Sequence, residues 1–175
     1  MPETLLTQAG SEEKQLTVEA SETNLMRPVV RFAEAVNCGD LDTAIRQLEP
    51  KSIHYARVSH YTPEGVRLLF NIFRTVLPDL RLDLQDIRVE GNRVISRVVG
   101  SGTHTGSYLG KPPTGQPVLW ETLDIAEVNL ASETAEVVSA EDDEADLWRI
   151  SRRHWDLWND PNLWKDLGFI PEVMC

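Results

Sequence analysis

Several residue classes are scarce in this chain, and each scarcity excludes something. Its two cysteines, Cys38 and Cys175, sit in neither a metal-ligand spacing nor a disulfide framework. That usage fits a reducing, cytoplasmic setting. Basic residues are outnumbered, with 17 Lys and Arg against 28 Asp and Glu and a formal net charge of -11. Such a surface does not attract nucleic acid or an anionic membrane. No apolar run reaches the roughly 18 residues of a membrane helix, and the N-terminus lacks the basic-then-apolar pattern of a secretion signal. HExxH, CxxC and clustered His/Cys spacings are missing, so no protein-bound metal is expected. What is present is a 41% hydrophobic fraction spread over 175 residues, enough to bury a core in one domain.

The pattern along the chain divides by period. Residues 1–24 are rich in Glu, Ser and Thr, which suits a mobile extension ahead of a domain spanning 25–175. From Leu25 to Leu48, apolar residues recur at helical spacing, broken by a Gly39 C-cap and restarted by an Asp40 N-cap. Ser52 to Tyr61 is rich in β-formers. Pro63 then opens a helix whose apolar face is Val66, Leu69, Phe70 and Phe73. From Arg81 the period becomes two. Leu82–His104 is a hairpin turning at Gly91-Asn92, Val118–Val128 a third long strand and Leu147–Trp158 a fourth. Helices followed by long antiparallel strands specify an α+β fold, a curved sheet wrapped around N-terminal helices as a cone-shaped barrel. A cone of this kind offers a concave, apolar pocket for a hydrophobic small molecule.

Strand parity nominates the residues for chemistry. On the third strand Trp120, Thr122 and Asp124 share a face, a set suited to a pocket wall. On the fourth, Arg152, His154 and Asp156 share one face and Arg153, Trp155 and Leu157 the other. A carboxylate beside an imidazole tunes its proton affinity, as acid–base chemistry requires; an ordinary surface ion pair explains the same spacing. His54 could point into the pocket, His60 is expected to be exposed, and His104 ends a strand. Trp155, Trp158 and Trp164 are candidates for a homodimer face or for packing on their own sheet.

The glycine-rich stretch from Gly100 to Gly115 matches neither a Walker loop nor a dinucleotide fingerprint, and a strand follows it instead of a helix. Pro112, Pro113 and Gly115 therefore read as a stiff connector. "GTHTGSYLGKPPTGQPV" followed by a strand and then "RRHWDLWND" resembles the SnoaL-like polyketide cyclase (ester cyclase) family. "FAEAVNCGDLDTAIRQL" and "FRTVLPDLRLDLQDI" fit the same pattern, and the likeness runs from about Leu25 to Pro171.

The resemblance implies a nuclear-transport-factor-2-like α+β barrel. It also implies ring closure of a polyketide by intramolecular aldol condensation, through acid–base catalysis with no metal or cofactor. It places the catalytic carboxylate at Asp156, with His154 and Asp124 as catalytic partners. His54, Trp120, Thr122 and His104 become substrate-pocket positions. Two departures stand out: Asp124 occupies a position where the cyclases carry His, and Arg153 one where Glu commonly precedes HWD. A non-catalytic binding protein and a hydrolase or hydratase on the same fold are the alternatives.

Overall fold

The computed structural model describes residues 21–56, 59–132, 147–155, 163, 166 and 167. The expected N-terminal extension lies almost wholly outside them, as do residues 133–146 of the acidic segment and the stretch that contains Asp156 and Trp158. The elements run α1 (Glu22–Cys38), α2 (Leu41–Arg46), β1 (Leu48–Ala56), β2 (Ser59–Tyr61), α3 (Pro63–Val76), β3 (Arg81–Glu90), β4 (Arg93–Thr103), β5 (Pro117–Leu130) and β6 (Trp148–Trp155).

Local chemistry sets the helix ends. Ser21 caps α1 by accepting from the Asn24 amide. Gly39 terminates it at φ 79, where its N–H reaches the Ala35 and Val36 carbonyls, a left-handed conformation that glycine adopts without a Cβ penalty. Asp40 caps α2 as the sequence indicates, and Thr62 caps α3 ahead of Pro63. Leu48, expected to end the helical stretch, instead opens β1.

The fold is α+β, and the described residues form one sheet of six strands in the order β2-β1-β6-β5-β4-β3. The sheet curves around the helices without closing, so β2 and β3 remain edges and the expected barrel is an open one. It is also mixed: β1 pairs with β6 in parallel, whereas every other pairing is antiparallel. The helices pack on the concave face. Val29, Phe32 and Val36 of α1 and Val66, Phe70 and Phe73 of α3 are buried there against Val94, Val98, Val128 and Ile150 of the strands. Asn37 joins α1 to β3 by donating to the Leu82 carbonyl at 2.9 Å and accepting from the Leu82 amide at 2.7 Å.

Two bulges decide which side chains face inward. On β3, Asp86 sits at φ 51 between the Gln85–Arg97 and Arg88–Ile95 pairs. The inward set therefore passes from Leu82 and Leu84 to Ile87 and Val89, the shift visible in the sequence. On β6, Glu127 faces Arg152 while Val128 faces Ile150, which leaves Ser151 as the extra residue. One extra residue inverts the alternation. Trp148 and Ile150 point inward before the bulge, and Arg153 and Trp155 after it.

Candidate active site

The alternation expected on β5 holds. Trp120, Thr122 and Asp124 are buried on the concave face, while Leu119, Glu121 and Leu123 are exposed. The grouping of Arg152 and His154 toward the pocket is corrected. Both are exposed, because the Ser151 bulge turns their parity outward. The His154 ring stacks on Tyr55 at 4.8 Å, outside the cone. Asp156, assigned with it, lies outside the described residues. Trp155, a candidate for a dimer face, is buried in the core of its own chain; Trp158 and Trp164 lie outside the described residues.

What β6 brings inward is Arg153, a residue the sequence reading passed over. Its guanidinium grips Asp124 from the side: Nε donates to both carboxylate oxygens at 2.8 and 2.9 Å, and Nη2 donates to Oδ2. Arg153 is 3% and Asp124 1% exposed, so water screens this pair hardly at all. The guanidinium also lies between two aromatic faces, with its carbon 4.5 Å from the centre of Phe32 and 4.8 Å from that of Trp155. Two hydrogen-bonded positions and two flanking rings hold its plane. Nη1 is left buried and without a partner among the described residues.

His54 stands directly across from Arg153 in the β1–β6 pairing. It is fully buried, and its ring centre is 6.5 Å from that of Trp155. Burial first, and the Arg153 charge second, push its pKa down from 6.5 to about 3, so the imidazole is neutral at ordinary pH. The proton on that neutral ring can be placed. Ser52 Oγ lies 2.6 Å from the Glu49 carbonyl, to which it must donate because a carbonyl only accepts. The same Oγ, 2.8 Å from His54 Nε2, therefore accepts from Nε2–H. Nδ1 then carries a bare lone pair, buried and unpartnered among the described residues. Ser96, directly across from Asp124, has a buried Oγ with no partner among them either. Ser96, Asp124, Arg153 and His54 thus form a polar band across β4, β5, β6 and β1.

Above this band lie aromatic side chains. Trp120 stacks on Phe73 at 6.0 Å, and its indole lies over Gly100, where an added Cβ would come within 2.2 Å of the ring. Thr122 is buried beside it and contacts the Leu123 carbonyl at 3.3 Å. A separate apolar cavity lies between α3, Tyr108 and Leu167, with about 10 Å³ open to the centre of a water molecule, room for about one water.

His104 binds the connector. Its ring Nδ1 lies 3.1 Å from Thr114 Oγ1 and 3.3 Å from the Thr114 amide, and Thr114 Oγ1 donates onward to the Asp166 carbonyl. Its backbone exchanges further hydrogen bonds with Gly115 and Gln116. The histidine thereby holds the Pro-Pro segment against β4 and does not sit beside Asp124.

Among the described residues, no group of three or more His, Cys, Asp or Glu side chains could hold a metal ion, and no helix is long and apolar enough to cross a membrane. Sequence signals for Arg153 did exist. The two departures from the family pattern, Asp124 and Arg153, are the two halves of one ion pair. The large aromatic Trp155, out of phase with Trp148 and Ile150, marks the bulge.

No curated protein matches the chain. Many solved structures share its fold, three from Streptomyces among them. AclR from Streptomyces galilaeus, provisionally named a hydroxylase, is 23% identical with TM-score 0.67, covering 86% of this chain and 100% of its own. TsrD from Streptomyces laurentii is 23% identical with TM-score 0.64, covering 87% and 100%. IdmH from Streptomyces antibioticus, a candidate polyketide cyclase, is 22% identical with TM-score 0.62, covering 82% and 98%. The family model for SnoaL-like polyketide cyclase matches residues 27–144, and with the open α+β cone behind that match, the chain belongs to the SnoaL-like polyketide cyclase family.

Proposed function

We propose that the protein is a cofactor-independent cyclase that closes a ring in a hydrophobic polyketide by an intramolecular aldol-type addition. The observation that carries this reading is the buried Asp124–Arg153 pair with His54 beside it, on the concave wall of the cone. Stability alone does not explain such a group, since well-packed apolar side chains replace buried ion pairs at little or no cost. Buried, oriented charge in a cleft is what acid–base catalysis uses.

The reaction needs a base to take a proton from the carbon next to a carbonyl. The resulting enolate carbon bonds to a second carbonyl carbon, whose oxygen takes up a proton. Both Asp124 oxygens are already held by Arg153, so Asp124 is not free to serve as that base. His54, with its pKa near 3, is too weakly basic for the task. We assign proton transfer to Asp156, on the likeness of the "HWD" stretch to the family motif. The interior band holds the substrate oxygens, and a multi-ring substrate enters only as Trp120 turns aside.

The Trp120–Phe73 stack inside the cone favours a second reading, a protein that binds a small molecule without converting it. Mass spectrometry of an aromatic polyketide methyl ester after incubation separates the possibilities. Ring closure by aldol addition leaves the mass unchanged and shifts the absorbance. A hydratase adds one water, and a hydrolase of the ester releases methanol and leaves the free acid. A binder returns the ester untouched. An Asp156→Asn protein that folds and keeps full turnover would remove Asp156 from the mechanism.

A further inference from the structure

Two of the three unpartnered atoms of the band, on the neighbouring strands β6 and β1, have opposite hydrogen-bonding habits. Arg153 Nη1 is a donor on the side of the guanidinium turned away from Asp124, because Nε and Nη2 are spent on the carboxylate. His54 Nδ1 is an acceptor, because Ser52 and the Glu49 carbonyl fix the ring proton on Nε2. The two residues are direct neighbours across β1 and β6, and both border Trp155. Neither can reorient at low cost. The guanidinium is sandwiched between Phe32 and Trp155, and turning the imidazole over would forfeit the Ser52 contact. A bare carbonyl or an ether oxygen could satisfy Arg153 but would leave the His54 lone pair buried and unpaired. A hydroxyl oxygen placed between the two atoms would satisfy both, accepting from one and donating to the other.

We propose that Arg153 Nη1 and His54 Nδ1 form a subsite for one hydroxyl-type oxygen of the substrate, an enol, phenol or alcohol, and discriminate against a carbonyl or ether at that point. The subsite rests on the reading of the cone interior as the substrate cavity. It gives His54 a positioning role: the ring holds the hydroxylated tautomer of an enolisable compound and takes no proton from carbon. Its low proton affinity suits that role, since a protonated ring would lose the acceptor.

The test compares α-naphthol with its methyl ether as titrants in calorimetry, using the full chain. The wild-type protein should bind the naphthol on the order of tenfold or more tighter than the ether, the usual penalty for an unpaired buried polar atom. Ser52→Ala frees the ring to exchange tautomers and should shrink that ratio. His54→Phe, which keeps a ring in place, should abolish it. Nitrogen-15 spectra of the imidazole should show Nδ1 unprotonated in the wild type. Water has the same two-way chemistry, and a subsite serving water alone would bind naphthol and ether equally. Equal affinities, no saturable binding of either probe, or a proton on Nδ1 would each overturn the proposal. Turnover of the polyketide ester is read separately. Turnover without discrimination sinks the subsite alone, whereas discrimination without turnover sinks the cyclase reading and leaves the subsite standing.

Discussion

The sheet carries an arginine–carboxylate cluster on each face, and the two differ in everything except their chemistry. On the convex face Arg97 reaches Asp86 at 2.8 Å and Glu121 at 3.1 Å, and donates to Gln85. Its side chain is 38% exposed and those of its carboxylate partners more than half. On the concave face Arg153 holds Asp124 with both nearly sealed from solvent. Water and salt screen the outer cluster, which therefore contributes little to stability. The inner pair cannot lose one partner without stranding a charge in the core. Cluster size is no guide to consequence here; access to water is.

The sharpest way to break the comparison is to remove one charge at a time. Arg153→Ala or Asp124→Ala should destabilise the protein by about 3–5 kcal/mol in urea titrations, the cost of an uncompensated buried charge. The double replacement Asp124→Leu with Arg153→Met should recover most of that loss. If the double variant is as unstable as either single one, the pair is not the reason for the cost.

Proton linkage gives the next effect. In the unfolded chain His54 titrates near 6.5 and in the folded chain near 3. Between those values the unfolded state holds more protons, so stability rises with pH across the window and is lost as pH falls through it. The slope approaches about 1.4 kcal/mol per pH unit for one such group. A His54→Gln protein should show a flatter fall in melting temperature over that range. Equal slopes would place the acid sensitivity elsewhere.

Overfilling the inner face comes third. Gly100→Ala puts a methyl into the Trp120 indole and should cost about 1–3 kcal/mol, as overpacked cores do. An unchanged melting temperature would mean that the indole moves aside freely. The smallest effect belongs to the outer face: Arg97→Ala should change stability by about 1 kcal/mol or less. A larger loss would erase the contrast between the two faces.

Much of the fold could be read in advance. The caps at Gly39 and Asp40, the hairpin turn at Gly91 and the inward set of β5 all follow from local chemistry and an undisturbed period. The site was legible only in part. Trp120, Thr122, Asp124 and His54 face inward as parity and resemblance indicated. His154 does not, because a single extra residue at Ser151 inverts the alternation, and a bulge is fixed by pairing with β5 and not by residue type. Arg153 was hidden by the same inversion. The parallel pairing of β1 with β6, which sets His54 opposite Arg153, has no signature in local sequence at all. Ser52 was missed because its effect is indirect: it chooses which nitrogen of His54 is free.

The central claim is that the inner band is the place of function. Its most direct test is the single-turnover rate on an aromatic polyketide methyl ester, well below the melting temperature, for Arg153→Lys beside Arg97→Lys. Lysine keeps each charge, but at position 153 it loses the two-point grip and the free Nη1. Turnover should fall about a hundredfold or more at Arg153 and not at all at Arg97. Full turnover in folded Arg153→Lys protein would contradict that claim.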